Sequence, residues 1–146
     1  MSDKVEALFS GAVAPGIYRT GLRTAPATLA HAAESRGWRA FHLDGSALAT
    51  KAQFLEAGAR AMDFPSYFGH NWDAFEESLN DMSWAPAQGY LVVFDGVEHF
   101  ARAQPEEFTV ALDVLRESVR RWHELGTPLV VLLRGPGRTA NDVPKL

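Results

Sequence analysis

Four acidic side chains follow one another between residues 71 and 82, and no lysine or arginine lies among them. They are Asp73, Glu76, Glu77 and Asp81. Asp73 and Glu77 stand at i and i+4, which on a helix places them side by side, about 5–6 Å apart at Cβ. Arginine recognises carboxylates and phosphates through the same bidentate geometry. The chemistry that this pattern favours is therefore binding to a cationic partner.

A crowded aromatic turn precedes these acids and includes Tyr67, Phe68, Gly69 and His70. Asn71 then offers a favourable N-cap, so the spacing predicts a helix over residues 71–82. Apolar residues recur there at i, i+3, i+7 and i+10, which indicates a stripe packed against a core: Trp72, Phe75, Leu79 and Met82. Trp72 borders both faces, and the two aromatic residues of the turn can either anchor the loop or contact a partner.

The charge of the chain is unevenly distributed. Between Arg60 and Arg102 there are seven acids and no Lys or Arg, whereas the whole chain carries a formal charge of −4. The net negative charge is therefore a local excess on a slightly basic background. Such a patch steers positively charged partners and repels nucleic acid, so a nucleic-acid ligand is not expected.

Composition narrows the class of protein. A chain of 146 residues with 47% hydrophobic residues is expected to form one domain with a real core. Cysteine is absent and the five histidines show no paired spacing, so neither a metal site nor thiolate chemistry is expected. No cofactor-binding glycine fingerprint is present. The sequence shows no signal peptide and no apolar run long enough for a membrane span, which predicts a cytoplasmic protein.

The order of predicted elements indicates a small α/β layer fold with a mostly parallel sheet. Two continuous apolar runs, at 90–94 and 129–133, predict strands covered on both faces. Shorter strands are predicted at 16–20 and 38–43, and helices at 26–36, 50–62, 71–82 and 105–125. Residues 1–15 are expected to be a loose leader, 97–103 one or two helical turns, and 135–146 a loose tail.

The string Tyr67-Phe68-Gly69-x-Asn71-x-Asp73-Ala74, followed by Leu79, resembles the signature of the barstar family, the intracellular inhibitors of the ribonuclease barnase. The order of elements is similar too, and the resemblance covers residues 38–134. It implies a small two-layer domain with a short, mostly parallel sheet of three strands packed with helices. A fourth strand would come from residues 16–20, within an N-terminal extension spanning residues 1–37.

The resemblance also implies a site, formed by the acidic helix and the turn before it. Residues of this chain that correspond to the partner-binding surface are Tyr67, Phe68, Gly69, Asn71, Trp72, Asp73, Glu76, Glu77 and Asp81. Glu77 stands where the family has its principal aspartate, and Glu76 where it has a tryptophan. Met82 aligns with a contact tryptophan of the family, while Trp84 lies two residues further on. Glu106 and Glu107 lie near the position of a further family acid.

Two functions from different classes remain open at this point. The preferred one is a non-catalytic monomer that inhibits a basic secreted or toxin ribonuclease of barnase type, without cofactor or metal, as immunity for the producing cell. The alternative is a small hydrolase or carbohydrate-active enzyme that uses Asp73, Glu77 and His70. An enzyme needs one carboxyl group with a raised pKa in a dry pocket, whereas an inhibitor needs several ionised carboxylates on an exposed helix.

Overall fold

A computed structural model describes residues 3–65, 70–135 and 137–146 of the chain. Helices and strands alternate through most of its length. In chain order the elements are α1 (Asp3–Ser10), β1 (Gly16–Thr20), α2 (Pro26–Glu34), β2 (Trp38–Asp44), α3 (Lys51–Ala61), α4 (Trp72–Asp81), β3 (Gly89–Asp95), α5 (Val97–Ala103), α6 (Pro105–Glu124) and β4 (Leu129–Arg134).

The four strands form one parallel sheet in the order β1-β4-β3-β2. The two central strands, β3 and β4, are buried almost throughout. This agrees with their continuous apolar sequences, because a central parallel strand covered on both faces exposes no side chain to water. The strand at 16–20 also forms and joins the sheet through β4. The α/β class and the parallel sheet expected from the sequence are therefore confirmed.

Helices cover both faces of the sheet. On one face, Val92 and Val131 pack in a core shared with α3, α4, α5 and α6. On the other face, Leu91 and Val130 pack in a second core with residues of α1 and α2. Within residues 38–134 all helices lie on the first face, which corresponds to the predicted two layers. The N-terminal extension adds a third layer that buries the opposite face.

The first helix was missed by the sequence prediction, which treated residues 1–15 as a loose leader. Val5, Leu8 and Phe9 of α1 are buried at 0%, 1% and 7% exposure. Their spacing of i, i+3 and i+4 is that of a helix with one apolar stripe. Phe9 meets Trp38 at the start of β2 edge-to-face, with ring centroids 5.2 Å apart. A short helix is marginal alone, and this one is stabilised by its contact with the sheet.

The C-terminal segment is also ordered against the sheet, so the expectation of a loose tail is wrong for its described part. Ala140 and Val143 are 0% and 1% exposed. The backbone N–H of Arg19 in β1 donates to the Pro144 carbonyl at 2.8 Å, and Leu146 N–H donates to the Arg19 carbonyl at 2.8 Å. The periodicity of the sequence did not reveal this order, because the segment is held by pairing with an edge strand that is distant in sequence.

Helix α6, at 20 residues, is amphipathic, with Phe108, Leu112 and Leu115 buried and its charged residues turned outward. Across the described ranges 3–65, 70–135 and 137–146, no helix combines the length and apolar character needed to cross a membrane. The buried stripe of α6 instead supports α4, against which it packs.

We expect Val143→Ala to lower the free energy of unfolding by about 1–3 kcal/mol, because two buried methyl groups are removed from the core. Lys145→Ala, at an exposed position of the same segment, should leave it unchanged within about 0.5 kcal/mol. Urea denaturation of both variants measures the difference. Equal stability of Val143→Ala and the parent chain would contradict a docked C-terminal segment.

Candidate functional site

Helix α4 begins and ends at well-defined caps. The side-chain oxygen of Asn71 accepts a hydrogen bond from the backbone N–H of Ala74 at 2.7 Å, as predicted for an N-cap. At the other end Met82 adopts a left-handed conformation with φ 50°, and its N–H donates to the Ser78 carbonyl at 3.1 Å. These caps fix the length of the helix at Trp72–Asp81 and therefore which residues its two faces present.

The two faces of α4 separate as the sequence predicts. Phe75, Leu79 and Met82 are at most 2% exposed and join the core with α3 and α6. On the opposite side the exposed or half-buried acids are Asp73, Glu76, Glu77 and Asp81. Because Met82 is buried, it is a core residue in this chain and does not take the place of a surface tryptophan.

The acids of α4, which we call the acidic face, are not neutralised internally. Within the described part of the chain, no ion pair is formed by Asp73, Glu76, Glu77 or Asp81. Like charges one turn apart on a helix are mildly destabilising, by a few tenths of a kcal/mol per pair. Asp73 lies in the first turn, where the helix dipole favours a negative charge. The acidic face is therefore a surface whose charge is available to an external cation.

Trp72 belongs mainly to the support of this face. Its ring packs against Phe54 and Phe75, with centroids 5.5 and 5.9 Å away. Its indole N–H donates to a carboxylate oxygen of Glu107 in α6, with Nε1 and Oε2 2.8 Å apart. Glu107 is half-buried. This hydrogen bond places its carboxylate beside Trp72, the first residue of α4. The sequence could not distinguish Glu106 from Glu107. The hydrogen bond to Trp72 shows that Glu107 is the one that contacts α4.

Two more tryptophans hold the ends of the site. The indole N–H of Trp122 in α6 donates to the Leu79 carbonyl of α4 at 3.0 Å. The indole N–H of Trp84 donates to the Met62 carbonyl after α3 at 3.1 Å, and its ring meets Phe64 edge-to-face at 5.8 Å. Trp84 is thus tied to the chain that enters the aromatic turn. These contacts join residues far apart in sequence, and no local pattern predicts them.

The aromatic turn is bounded by two residues in left-handed backbone conformations, Asp63 with φ 54° and His70 with φ 53°. Such conformations are uncommon outside glycine and are enriched at binding sites. The predicted contacts Tyr67, Phe68 and Gly69 lie outside the described residues. On the two sides of the aromatic turn, the structure describes Phe64, whose ring packs on Phe75 with centroids 5.5 Å apart, and the N-cap of α4.

The positions of Asp73, Glu77 and His70 bear on the hypothesis of a small hydrolase or carbohydrate-active enzyme. Asp73 and Glu77 are exposed on the surface of a helix, and His70 is exposed at the end of the turn. Exposed side chains lack the dry surroundings that general acid catalysis requires. Among the described residues there is also no cluster of three or more His, Asp or Glu side chains arranged to hold a metal ion. The exposed carboxylates are suited to binding a positively charged surface.

Comparison with known proteins adds the family. Residues 38–134 match the model of the Barstar family, described as barstar, the barnase inhibitor. The matched segment contains β2 to β4 and the whole acidic face, and it covers well over half of the chain. The chain therefore belongs to the barstar family, whose members are inhibitors of barnase-type ribonucleases. No curated protein matches the chain closely enough to be counted as a relative.

We expect Trp72→Phe to lower the free energy of unfolding by about 1.5–3 kcal/mol, because it removes a hydrogen bond to a charged group while keeping most of the ring packing. Glu107→Ala should show a similar loss, and the double variant little more than either single one. Chemical denaturation in a double-mutant cycle measures the coupling between the two side chains. Additive losses would show that the indole and the carboxylate do not interact.

Proposed function

We propose that this chain inhibits a basic ribonuclease of barnase type by placing the acidic face of α4 and the preceding turn in the active site of the nuclease. One observation carries the proposal: the acidic face is unpaired among the described residues and lies within the segment that matches the Barstar family. The partner-binding residues in this proposal are those named from the sequence, with Glu107 at their border.

The mechanism is occupation of a phosphate-binding site by carboxylates. A ribonuclease collects Arg, Lys and His in its active site to bind the phosphates of RNA. Asp73 and Glu77 lie one turn apart on α4, so their two carboxylates are neighbours on the surface of the helix. Arginine donates to carboxylate and phosphate oxygens through the same paired N–H groups. An inhibitor bound in this way excludes substrate without any chemical step, so the proposed function is non-catalytic.

The rigid support of the acidic face contributes to affinity in this proposal. Side chains that are already ordered lose less conformational entropy on binding. The caps of α4 and the indole bonds from Trp72 and Trp122 hold the helix in place before any partner arrives. Tyr67 and Phe68 of the turn would add aromatic contact area beside the charges, as binding hot spots commonly do.

This chain differs from the family pattern in ways that affect specificity. Glu77 extends its carboxylate one methylene further than the aspartate that the family has there, and Glu76 replaces a tryptophan with a charge. Met82, which stands where the family has a second contact tryptophan, is buried in the core. Trp84 is held by its hydrogen bond to the Met62 carbonyl. We infer a partner whose cationic site is wider and more strongly positive than one complementary to the usual pattern. Such a partner is a secreted or toxin ribonuclease from which the producing cell protects itself, with the inhibitor acting as a cytoplasmic monomer.

We expect Asp73→Ala to weaken the complex with a cognate barnase-type ribonuclease by ~2–5 kcal/mol, the range for truncating one member of a buried charge pair, to which barnase–barstar measurements themselves contribute. Glu77→Ala should cost somewhat less because its longer arm is less ordered. Titration calorimetry against a panel of barnase-type ribonucleases measures both. Asp113→Ala removes an exposed carboxylate from the middle of α6, outside the proposed interface, and serves as the control that keeps full affinity.

Tight one-to-one binding that is lost in Asp73→Ala and kept in Asp113→Ala would support the proposed site. Equal affinity of all three variants would remove the acidic face from the interface. Circular dichroism of each variant excludes unfolding as the cause, and no fold change is expected because both α4 acids are exposed.

Salt should act on the rate of association. Steering by a charge patch depends on long-range attraction, which ionic strength screens, whereas contacts inside a formed interface are screened much less. Raising NaCl from about 0.05 M to about 0.5 M is therefore expected to slow association about tenfold or more and to change dissociation only slightly. Stopped-flow fluorescence separates the two rates. An equal effect on both would argue against electrostatic steering.

A further inference from the structure

Every strand of the sheet ends in a polar residue followed by glycine. These four pairs are Thr20-Gly21, Asp44-Gly45, Asp95-Gly96 and Arg134-Gly135. The strand register brings the polar members level with one another, since Arg134 pairs with both Thr20 and Asp95, and Asp95 with Asp44. A row of polar side chains and a row of glycines therefore run across the carboxyl edge of the sheet. In open α/β sheets this is the edge where ligands bind.

The polar row is tied together by Arg134. Its guanidinium binds both carboxylate oxygens of Asp95, at 2.5 and 2.8 Å, and donates to the carbonyls of Leu22 and Thr24 at 3.2 and 2.6 Å. His42 bonds the same carboxylate at 2.7 Å. Burial alone would raise the pKa of Asp95, but the hydrogen bonds from Arg134 and His42 lower it, so this carboxylate is ionised and balances the guanidinium.

Two of the four glycines are explained by packing. A Cβ on Gly45 would lie 2.8 Å from the Asp95 carbonyl oxygen, and a Cβ on Gly96 would lie 2.8 Å from the Ser46 nitrogen. The loops after β2 and β3 therefore approach too closely for a side chain. Gly21 is different, because a Cβ there would meet no atom within 4 Å beyond its chain neighbours and its φ is not in the left-handed region. The fold itself gives no reason for glycine at residue 21.

The open space beside Gly21 is a cleft of ≈ 450 Å³ between the ends of β1 and β4. It is lined by residues 20–23, Asp95, Arg134 and Gly135. After β1 the chain turns to α2 on one face of the sheet, and after β4 it continues to Ala140 and Val143 in the core of the other face. Two neighbouring strands whose connections diverge in this way leave a crevice at their carboxyl ends, which is the usual ligand position in such folds.

Arg23 supplies the uncompensated charge of the cleft. Its side chain is exposed, and within the described residues it forms no ion pair or side-chain hydrogen bond. Arg134, by contrast, is balanced by Asp95 and also held by the carbonyls of Leu22 and Thr24. A cleft with one free guanidinium, one fixed guanidinium and accessible backbone at a glycine fits a small oxyanion.

We propose that this cleft binds a small phosphate-bearing ligand, with Arg23 as the charged anchor and Gly21 as the position where the ligand approaches the backbone. The site is independent of the acidic face, since none of its residues belongs to α4 or the aromatic turn. Residues 20–23 precede the segment that matches the Barstar family, so the charged anchor Arg23 belongs to the N-terminal extension, whereas Asp95 and Arg134 belong to the matched segment.

Titration of the uniformly labelled full chain with inorganic phosphate, followed by two-dimensional amide NMR, tests the proposal. We expect saturable shifts at the amides of Gly21, Arg23 and Gly135. Arg23→Gln should weaken the binding about tenfold, as expected for loss of one hydrogen-bonded charge. Gly21→Val should abolish it, because a Cβ at this position meets open space and the added side chain takes up room in the cleft. Arg60→Gln, which removes a paired and exposed arginine from α3, should leave the affinity unchanged.

Three results would overturn the proposal: shifts that never saturate, shifts of equal size with sodium chloride at the same ionic strength, or unchanged affinity in both Arg23→Gln and Gly21→Val. The amide spectrum of each variant also reports folding directly, so loss of binding in a folded protein is distinguished from loss of structure. The experiment does not depend on any ribonuclease, and its outcome leaves the proposed inhibitor function untouched.

Discussion

Burial of the apolar stripe of α4 is the constraint from which the orientation of the acidic face follows. Phe75 and Leu79 are enclosed by α3 and α6, so the helix has one rotation about its axis that satisfies the core. That rotation turns Asp73 and Glu77 outward. Since rotating the helix would expose large apolar side chains at about 1.5–3 kcal/mol each, the direction of the carboxylates is fixed by packing rather than by the charges themselves.

Repulsion among the acids of α4 lowers the stability of this helix. The helix forms nevertheless because other elements of the fold hold it. The acids of α4 repel one another and have no internal cation among the described residues. The N-cap of Asn71 and the indole bonds from Trp72 and Trp122 offset that repulsion through contacts on the other side of the helix. The two faces thus differ in role: one supplies the contacts that fold the helix, and the other carries the charges that we propose bind a partner.

Segments outside the family match complete the domain. The matched residues 38–134 provide a sheet with helices on one face only, which would leave Leu91 and Val130 of the other face exposed to water. Helices α1 and α2 cover that face, and the C-terminal segment pairs with the edge strand β1. Arg134 bonds the loop after β1 to Asp95 of β3, which joins the extension to the matched segment at the edge where we place the phosphate cleft.

The sequence by itself determined the strands, the helix α4, its N-cap and its two faces, because these depend on periodicity and on neighbours within a few residues. It also carried the family signature. Only the tertiary structure showed the docked tail, the bond from Trp72 to Glu107 across 35 positions, and the alignment of Thr20, Arg134 and Asp95 in one row. These features depend on strand order and register, which bring distant residues together and leave no periodic trace in the chain. Helix α1 lies between the two cases, since its spacing was present but its stability comes from the sheet beneath it.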